Sequence, residues 1–336
     1  MKSPHTSLEF KHTPVMLKEV IEICSPKKGN SFVDCTLGGG SYSKSLLSFP
    51  STKVTAFDRD PEVIGIANKI KKKFKKRFNF YHNKFSNLDQ ISTESIDAVI
   101  FDLGISSIQL DNLKRGFSFK SKFDLDMNMG LSSISASEVI NNFDEKILKN
   151  IFKYLGEEKD ASKIAKNISI KRSIKKIKTT EELVEIIKKS KKQSFKKKID
   201  VCTKTFQALR IFINKEITEL ISGIIKATKV LKPGGKLIVV TFHSLEDRIV
   251  KFYFKNYSSS KSNQNKYLPN LNNNNFDLFE KYKNRIITAS NDEIKKNPRS
   301  RSAKLRFAVR NKNKFSNPKE LKLKFNYLIK LEGDNA

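Results

Sequence analysis

Four short runs of apolar, β-branched and aromatic residues crowd the first hundred positions: SFVDCT (31–36), KVTAFD (53–58), RFNFYH (77–82) and IDAVIFD (96–102). They lack the clean alternation of a half-exposed strand, so they read as strands covered on both faces. Helical stretches separate several of them. Asp60 followed by Pro61 is a cap and first-turn pair for a helix over 61–75, and Thr13 before Pro14 makes the same signal for a helix over TPVMLKEVIEIC. Strand, helix, strand in succession demands parallel pairing, because parallel neighbours need a crossover. The expected fold is therefore α/β with a parallel, doubly wound sheet.

Between about 110 and 225 no such strand recurs. TTEELVEIIKK opens with capping-box spacing from Thr179 to Glu182, and TKTFQALRIFINKEITELISGII sets Phe206, Leu209, Ile213, Ile217, Leu220 and Ile224 on one stripe. LKPGG then reads as a turn, and KLIVVTF (236–242) returns to the sheet as its fifth strand. NRIITAS and AKLRFAVR look like two final strands. The domain expectation is a non-contiguous core over 1–109 and 226–315 with a helical insert at 110–225 between the fourth and fifth strands. The Ser/Asn-rich stretch 258–275 reads as a mobile loop, and 316–336 as a tail.

Charge narrows the partner. With 66 Lys and Arg against 35 Asp and Glu, the net charge is +31, which favours a polyanion over a small neutral ligand. Runs such as KIKKKFKKR (69–77) and KKSKKQSFKKK (188–198) are, taken singly, ordinary solvated faces, and a Lys, Asn and Ile bias supplies part of the excess. Cys24, Cys35 and Cys202 are odd in number and widely spaced, so they read as buried, reduced thiols rather than a disulfide framework or a zinc site. His5, His12, His82 and His243 offer no metal-ligand spacing, and no metal is expected. No stretch approaches the roughly 18 apolar residues of a membrane span, and the N-terminus lacks a signal-peptide core, so a cytoplasmic protein is expected.

The chemistry concentrates after the strands. The first runs into DCTLGGGSYS, where Gly38, Gly39 and Gly40 allow a tight turn and a close backbone approach at the start of a helix. Asp58 ends the second strand 20 residues beyond Gly38, where an acid in such a sheet accepts hydrogen bonds from an adenosine ribose. Its plain alternative, a helix cap, is a task Asp60 fills better. The dinucleotide fingerprint fails at its third glycine, where Ser43 stands. Asp102 closes the fourth strand over the same crevice and leads into LGISS, small residues where a planar substrate could approach.

The blocks HTPVMLKEV, VDCTLGGG, FDRDP, FDLGISSIQLDNLKRGFSF, LDMNM, GEEKDASKIAKNI, KTFQALRIFINKEI, LKPGGKLIVVTFHSLEDRIVK and NPRSRSAKLRFAVR stand in the order found in the RsmH (MraW) family. Over about residues 10–310 the chain resembles these S-adenosylmethionine-dependent methyltransferases, which modify N4 of cytidine 1402 in 16S ribosomal RNA. The resemblance implies a Rossmann-like methyltransferase sheet, S-adenosylmethionine as cofactor, and the 30S subunit as partner; a monomer and a homodimer both stay open. Carried over by position, it puts the cofactor among Gly40, Ser41, Tyr42, Asp58, Phe85, Asp102 and Gln109, to which the glycine turn adds Gly38 and Gly39 as cofactor-binding candidates. Phe85 and Gln109 come from the resemblance alone; a core aromatic and a solvated amide are their plain alternatives. The chain departs from the family where Ser41-Tyr42 replaces Gly-His, Asn128 replaces Arg, and Asp200-Val201 replaces His-Pro.

Methyl transfer from a sulfonium to an exocyclic amine needs in-line approach, with reacting atoms held about 3–3.5 Å apart, and no covalent enzyme intermediate. Cytosine N4 is a poor nucleophile because its lone pair is delocalised; acceptors for its N–H groups would favour the pyramidal amine. Asp102 and the LGIS carbonyls, with Ser106 in that turn, are the candidates, and His243 in FHSLEDR is a second candidate to order the base or relay a proton. Lys114, Arg115 and Phe117, with Phe119, are cations and aromatics of the kind that hold an unstacked base; Arg210, Arg248, Arg299 and Arg301 extend the candidate RNA surface. Burial beneath the insert is the alternative for the two phenylalanines. Three rival functions stand: an assembly factor on the same fold without turnover, a nucleotide-dependent oxidoreductase, and an enzyme acting on another substrate such as DNA.

Overall fold

A computed structural model describes residues 14–191, 200–259 and 277–333. Its centre is one seven-stranded sheet: β1 (Ser31–Asp34), β2 (Lys53–Asp58), β3 (Phe78–His82), β4 (Ile96–Asp102), β5 (Leu231–Thr241), β6 (Ile287–Thr288) and β7 (Lys304–Val309). The order is β3-β2-β1-β4-β5-β7-β6. β1 to β5 are mutually parallel, while β7 runs antiparallel to both β5 and β6. The order reverses between β1 and β4, and a crevice opens outside the carboxyl ends of strands at that reversal.

The helices are α1 (Leu17–Cys24), α2 (Ser41–Leu47), α3 (Ile64–Phe74), α4 (Ser107–Asp111), α5 (Ala136–Asn142), α6 (Glu145–Asn150), α7 (Ala161–Ile174), α8 (Thr180–Ser190), α9 (Thr203–Asn214), α10 (Glu216–Val230), α11 (Ser244–Asn256), α12 (Asn291–Lys296), α13 (Lys319–Lys324) and α14 (Asn326–Gly333). Alternate strand residues supply two cores. Phe32, Ala98, Ile100, Ile238 and Val240 pack on one face with α1 to α3, whereas Val33, Val99, Phe101, Leu237 and Val239 pack on the other. On that second face the sheet shares a single buried cluster with Val139, Ile164 and Leu183 of the 110–225 stretch and with α10 and α11. Both faces of the central strands are covered, as uninterrupted apolar runs require.

Asp60 accepts from the Glu62 amide at 3.0 Å and Pro61 opens the turn before α3. Thr179 and Glu182 close a full capping box on α8, and all three cysteines are free and buried. Several expectations need correction. Thr13 lies outside the described residues, and α1 begins only at Leu17, after Met16 at φ 51°. The long stripe of 203–225 is not one helix: Lys215 at φ 51° ends α9 and starts α10, although the six stripe residues are buried. LKPGG is no separate turn but a bulge inside β5, where pairing jumps from Leu231 opposite Ile96 to Lys236 opposite Ala98. Residues 316–333 do not trail away; they form α13 and α14, with Leu321, Phe325 and Leu328 buried. The 258–275 stretch, apart from Ser258 and Ser259, lies outside the described residues, as do 192–199 of the second cationic run. No helix among the described residues is long and apolar enough to cross a membrane.

Candidate active site

The crevice at the strand reversal is built from three strand ends. After β1, Gly38 and Gly40 sit at φ 46° and 74°, a backbone that side chains disfavour, and a Cβ on Gly40 would stand 2.5 Å from the Ile70 Cδ1 of α3. This turn is fastened to the end of β2: the Gly38 amide donates to Asp58 Oδ2 at 2.9 Å, and the Asp60 amide donates to Asp58 Oδ1, also at 2.9 Å. Burial pushes the Asp58 carboxyl up from its ordinary 3.8 to about 6, although those two amides pull the other way. Beneath the turn lies Asp34, buried, accepting from Ser43 Oγ at 2.7 Å, its carboxyl also pushed up by burial.

β4 delivers Asp102. Its amide donates to Thr36 Oγ1 at 2.8 Å, tying the strand end to the first turn. Its Oδ1 is buried and has no hydrogen-bond partner among the described residues. Burial, reinforced by the charge on Asp34, raises its carboxyl to about 8, with the Tyr42 hydroxyl opposing. Tyr42 is buried and donates to the Val15 carbonyl, and its phenol is pushed well up by burial and by Asp102. Tyr42 thus places an uncharged phenol beside the acid.

The structure brings Gly38, Gly39, Ser41, Tyr42, Asp58, Phe85, Asp102, Ser106 and Gln109 to the wall of this one crevice. Gly40 stands just behind it as the αL cap of α2. Phe85 meets Phe101 edge-on at 5.2 Å and lies against Gly223, so close that a Cβ there would be 2.7 Å from its ring. Two side chains are engaged differently from expectation. Ser106 caps α4 in a box with Gln109, whose Oε1 accepts from the Ser106 amide and whose Nε2 donates to Asp60 Oδ2 at 2.7 Å. Gln109 therefore holds the loop together, with both its amide oxygen and its amide nitrogen engaged.

His243 caps α11. Its Nδ1 accepts from the Glu246 amide at 3.4 Å, and Nε2 lies 3.0 Å from Glu246 Oε1 without the alignment of a hydrogen bond. Glu246 Oε2 accepts from the Phe242 and His243 amides. Burial would raise the Glu246 carboxyl, but His243 and Arg210 outweigh it and hold it below the usual range. Glu216, His243 and Glu246 come close enough to suggest a cation site. Arg210 supplies the charge there instead, gripping both Glu216 oxygens at 2.8 and 2.9 Å.

That ion pair corrects one RNA candidate: Arg210 faces inward, not outward. Arg115 is corrected likewise, since Nη1 binds Asp60 Oδ2 at 2.6 Å and Nη2 donates to the Asn128 carbonyl at 2.8 Å. Phe117 is 6 % exposed, with the Arg115 guanidinium 5.4 Å from its ring centre. A buried ring cannot stack on a base. Phe119 packs edge-on against Phe206. Arg248 pairs with Glu157 and Arg299 with Asp111, both at the surface, while Lys114 and Arg301 are exposed. Arg299 also reaches the crevice wall.

The crevice includes residues that motif reading missed: Arg59, Lys84, Glu216, Glu219 and Leu220. Arg59 donates to the Gly130 and Asn214 carbonyls and to Ser132 Oγ, all at 2.7 Å, and so joins the end of β2 to the helical stretch. Its position in FDRDP was visible, but its partners lie at least 71 residues away in sequence. Glu219 Oε2 is buried without a partner among the described residues.

A profile of the MraW methylase family matches residues 9–311. The chain belongs to that family. It is an S-adenosylmethionine-dependent methyltransferase on a Rossmann-like sheet. It is 44% identical over 300 residues to the ribosomal RNA small subunit methyltransferase H of Ehrlichia canis (strain Jake), covering 88% of this chain and 98% of that one. The protein of the same name from Sinorhizobium fredii is 41% identical over 301 residues, covering 89% and 87%. A crystal structure of an rRNA methylase from Streptococcus thermophilus aligns over 89% of this chain and 98% of that one, at TM-score 0.40 and 11% identity, too distant a likeness to build on. The residues present suit the cofactor: backbone amides exposed by a glycine turn, an acid at the end of β2, an aromatic wall at Phe85, and an unpartnered carboxylate oxygen on Asp102.

Proposed function

We propose that this enzyme methylates N4 of cytidine 1402 in the 16S ribosomal RNA of the small subunit. The observation that carries the reading is the buried Asp102 Oδ1 at the carboxyl end of β4, unpartnered and beside the glycine turn. The names of the relatives support the RNA and its subunit. When bound, S-adenosylmethionine supplies a methyl group on a sulfonium. Asp58 and the 38–40 turn would hold its adenosine end, and Phe85 would give the base an apolar wall.

Asp102 accepts one N–H of the cytosine amine. That bond favours the pyramidal amine and balances the positive charge that grows on N4. As N4 takes that methyl group, the proton it gives up would pass to Asp102 or to water. Ser106 keeps the loop after β4 in place and does not react. His243 orders the start of α11 beside the crevice rather than relaying a proton. Residues 110–225 form the insert that closes on RNA, with Lys114, Arg299 and Arg301 toward phosphate.

The test is methyl transfer from labelled S-adenosylmethionine to 30S subunits lacking the modification, with the product located by mass spectrometry. Label at N4 of the decoding-centre cytidine is expected. Cofactor binding with no transfer to any ribosomal RNA would overturn the assignment and favour an assembly factor.

A further inference from the structure

The family match ends at residue 311, but the packed chain does not. α13 and α14 fold back, and Glu332, near the end of α14, is fully buried against the first turn of α10. One Glu332 oxygen accepts from the Ile217 amide at 3.0 Å. The other accepts from the Thr218 amide at 2.8 Å and from Thr218 Oγ1 at 2.6 Å.

α10 has particular need of such an acceptor. The first amides of a helix have no carbonyl within the helix to bind, and a side chain just before it usually serves. Here the preceding residue is Lys215, left-handed at φ 51°, with no capping side-chain bond. The Glu332 carboxyl arriving from α14 takes that role through these three hydrogen bonds, although burial pushes it up to about 8 against their pull. The same turn of α10 faces the crevice, because Glu216, Glu219 and Leu220 all line it. Glu216 there holds Arg210 by two bonds, and Glu219 presents its unpartnered oxygen.

We propose that Glu332 is a positioning residue for the methyl-donor crevice, capping α10 from the far end of the chain and so fixing the turn that carries Glu216, Glu219 and Leu220. It does not line the crevice and acts only through α10. The inference rests on the reading of that crevice as the cofactor site.

The experiment uses the full chain with Glu332→Ala, Glu332→Gln and Leu328→Ala. Leu328 is buried in the same helix but makes no cap, so it reports packing loss alone. Three quantities are compared well below each melting temperature: the dissociation constant of S-adenosylhomocysteine by calorimetry, kcat, and KM for the methyl donor. Loss of the cap is expected to weaken binding and raise KM about five- to tenfold with a smaller change in kcat, following the usual cost of losing a helix cap. Glu332→Gln, which keeps the volume and one acceptor, is expected to fall between wild type and Ala. It carries the test should the Ala variant not fold. Leu328→Ala is expected to lower the melting temperature with binding within about twofold of wild type, well short of that cap loss.

Wild-type binding in both Glu332 variants would overturn the proposal. So would equal weakening in Leu328→Ala, which would make the effect one of general loosening. If wild type binds the product but Asp58→Ala binds it equally well, the crevice reading itself falls and takes this proposal with it.

Discussion

Asp102 shows how one side chain combines a cost with a use. Its carboxyl moves from 3.8 to about 8 because burial and the Asp34 charge both disfavour ionisation. Between those two values the folded chain keeps a proton that the unfolded chain has lost, so this residue's contribution to stability falls as pH rises and is fully lost above about 8. Ionised, it is the stronger acceptor and the form that can balance charge on N4 or take its proton, so the rate runs the opposite way. We predict that kcat/KM climbs with pH and levels above about 8, and that Asp102→Asn flattens this rise while lowering turnover at least about a hundredfold. A pH profile of both enzymes checks it; an unchanged rise in the Asn variant assigns the titration elsewhere. Asp102 and Asp58 were legible in the sequence because strand ends and spacing locate them. The engagements of Gln109 and Arg115 were not, because Asp60, which binds both, stands 49 and 55 residues before them in the chain. Local pattern does not reveal such a partner, and the burial of Phe117 beside Arg115 follows from the same fold-back.

At the scale of elements, the glycine turn, α3 and α10 decide whether the crevice has its shape. Gly40 is held at φ 74°, and its missing Cβ is the space that Ile70 Cδ1 occupies. Gly40→Ala is predicted to cost about 1–3 kcal/mol, from left-handed strain together with overpacking. Ile70→Val in the same chain removes the nearest methyl and should recover part of that cost, leaving the backbone strain. Denaturant melts of the two single variants and the double variant form the cycle that measures it; strict additivity would mean that the Ile70 contact plays no part. The parallel strands were legible because a short apolar, β-branched run with no polar face fits the middle of a covered sheet and little else. The break at Lys215 was not, because the apolar stripe keeps its period across it and only the reversed φ of one residue separates α9 from α10. The packing of α13 and α14 was hidden for a similar reason: KELKLKFNYLIKLEG offers a modest apolar face whose value appears only once α10 is beside it.

The whole molecule carries a net charge of +31, but charge in the sequence and charge available to RNA are different quantities. Arg115 and Arg210 are held inside by Asp60, Glu216 and the Asn128 carbonyl, while Lys114 and Arg301 remain at the surface. This separates two outcomes that a count of cations would merge. A residue that neutralises one phosphate changes the slope of log affinity against log salt by about 0.7–0.9, leaving the fold alone. Lys114→Ala and Arg301→Ala are therefore predicted to weaken ribosomal RNA binding modestly, to flatten that slope by about one unit each at most, and to leave the melting temperature unchanged. Arg115→Ala should do the reverse, because it removes the cation that pairs with the buried Asp60, takes the side-chain donor from the Asn128 carbonyl and uncovers Phe117; a loss of about 2–4 kcal/mol in stability is expected. Filter binding across a salt series, beside thermal melts of the same variants, decides it. A flattened slope with full stability in Arg115→Ala would return that residue to the RNA surface and would mean that the Asp60 pair opens when RNA binds.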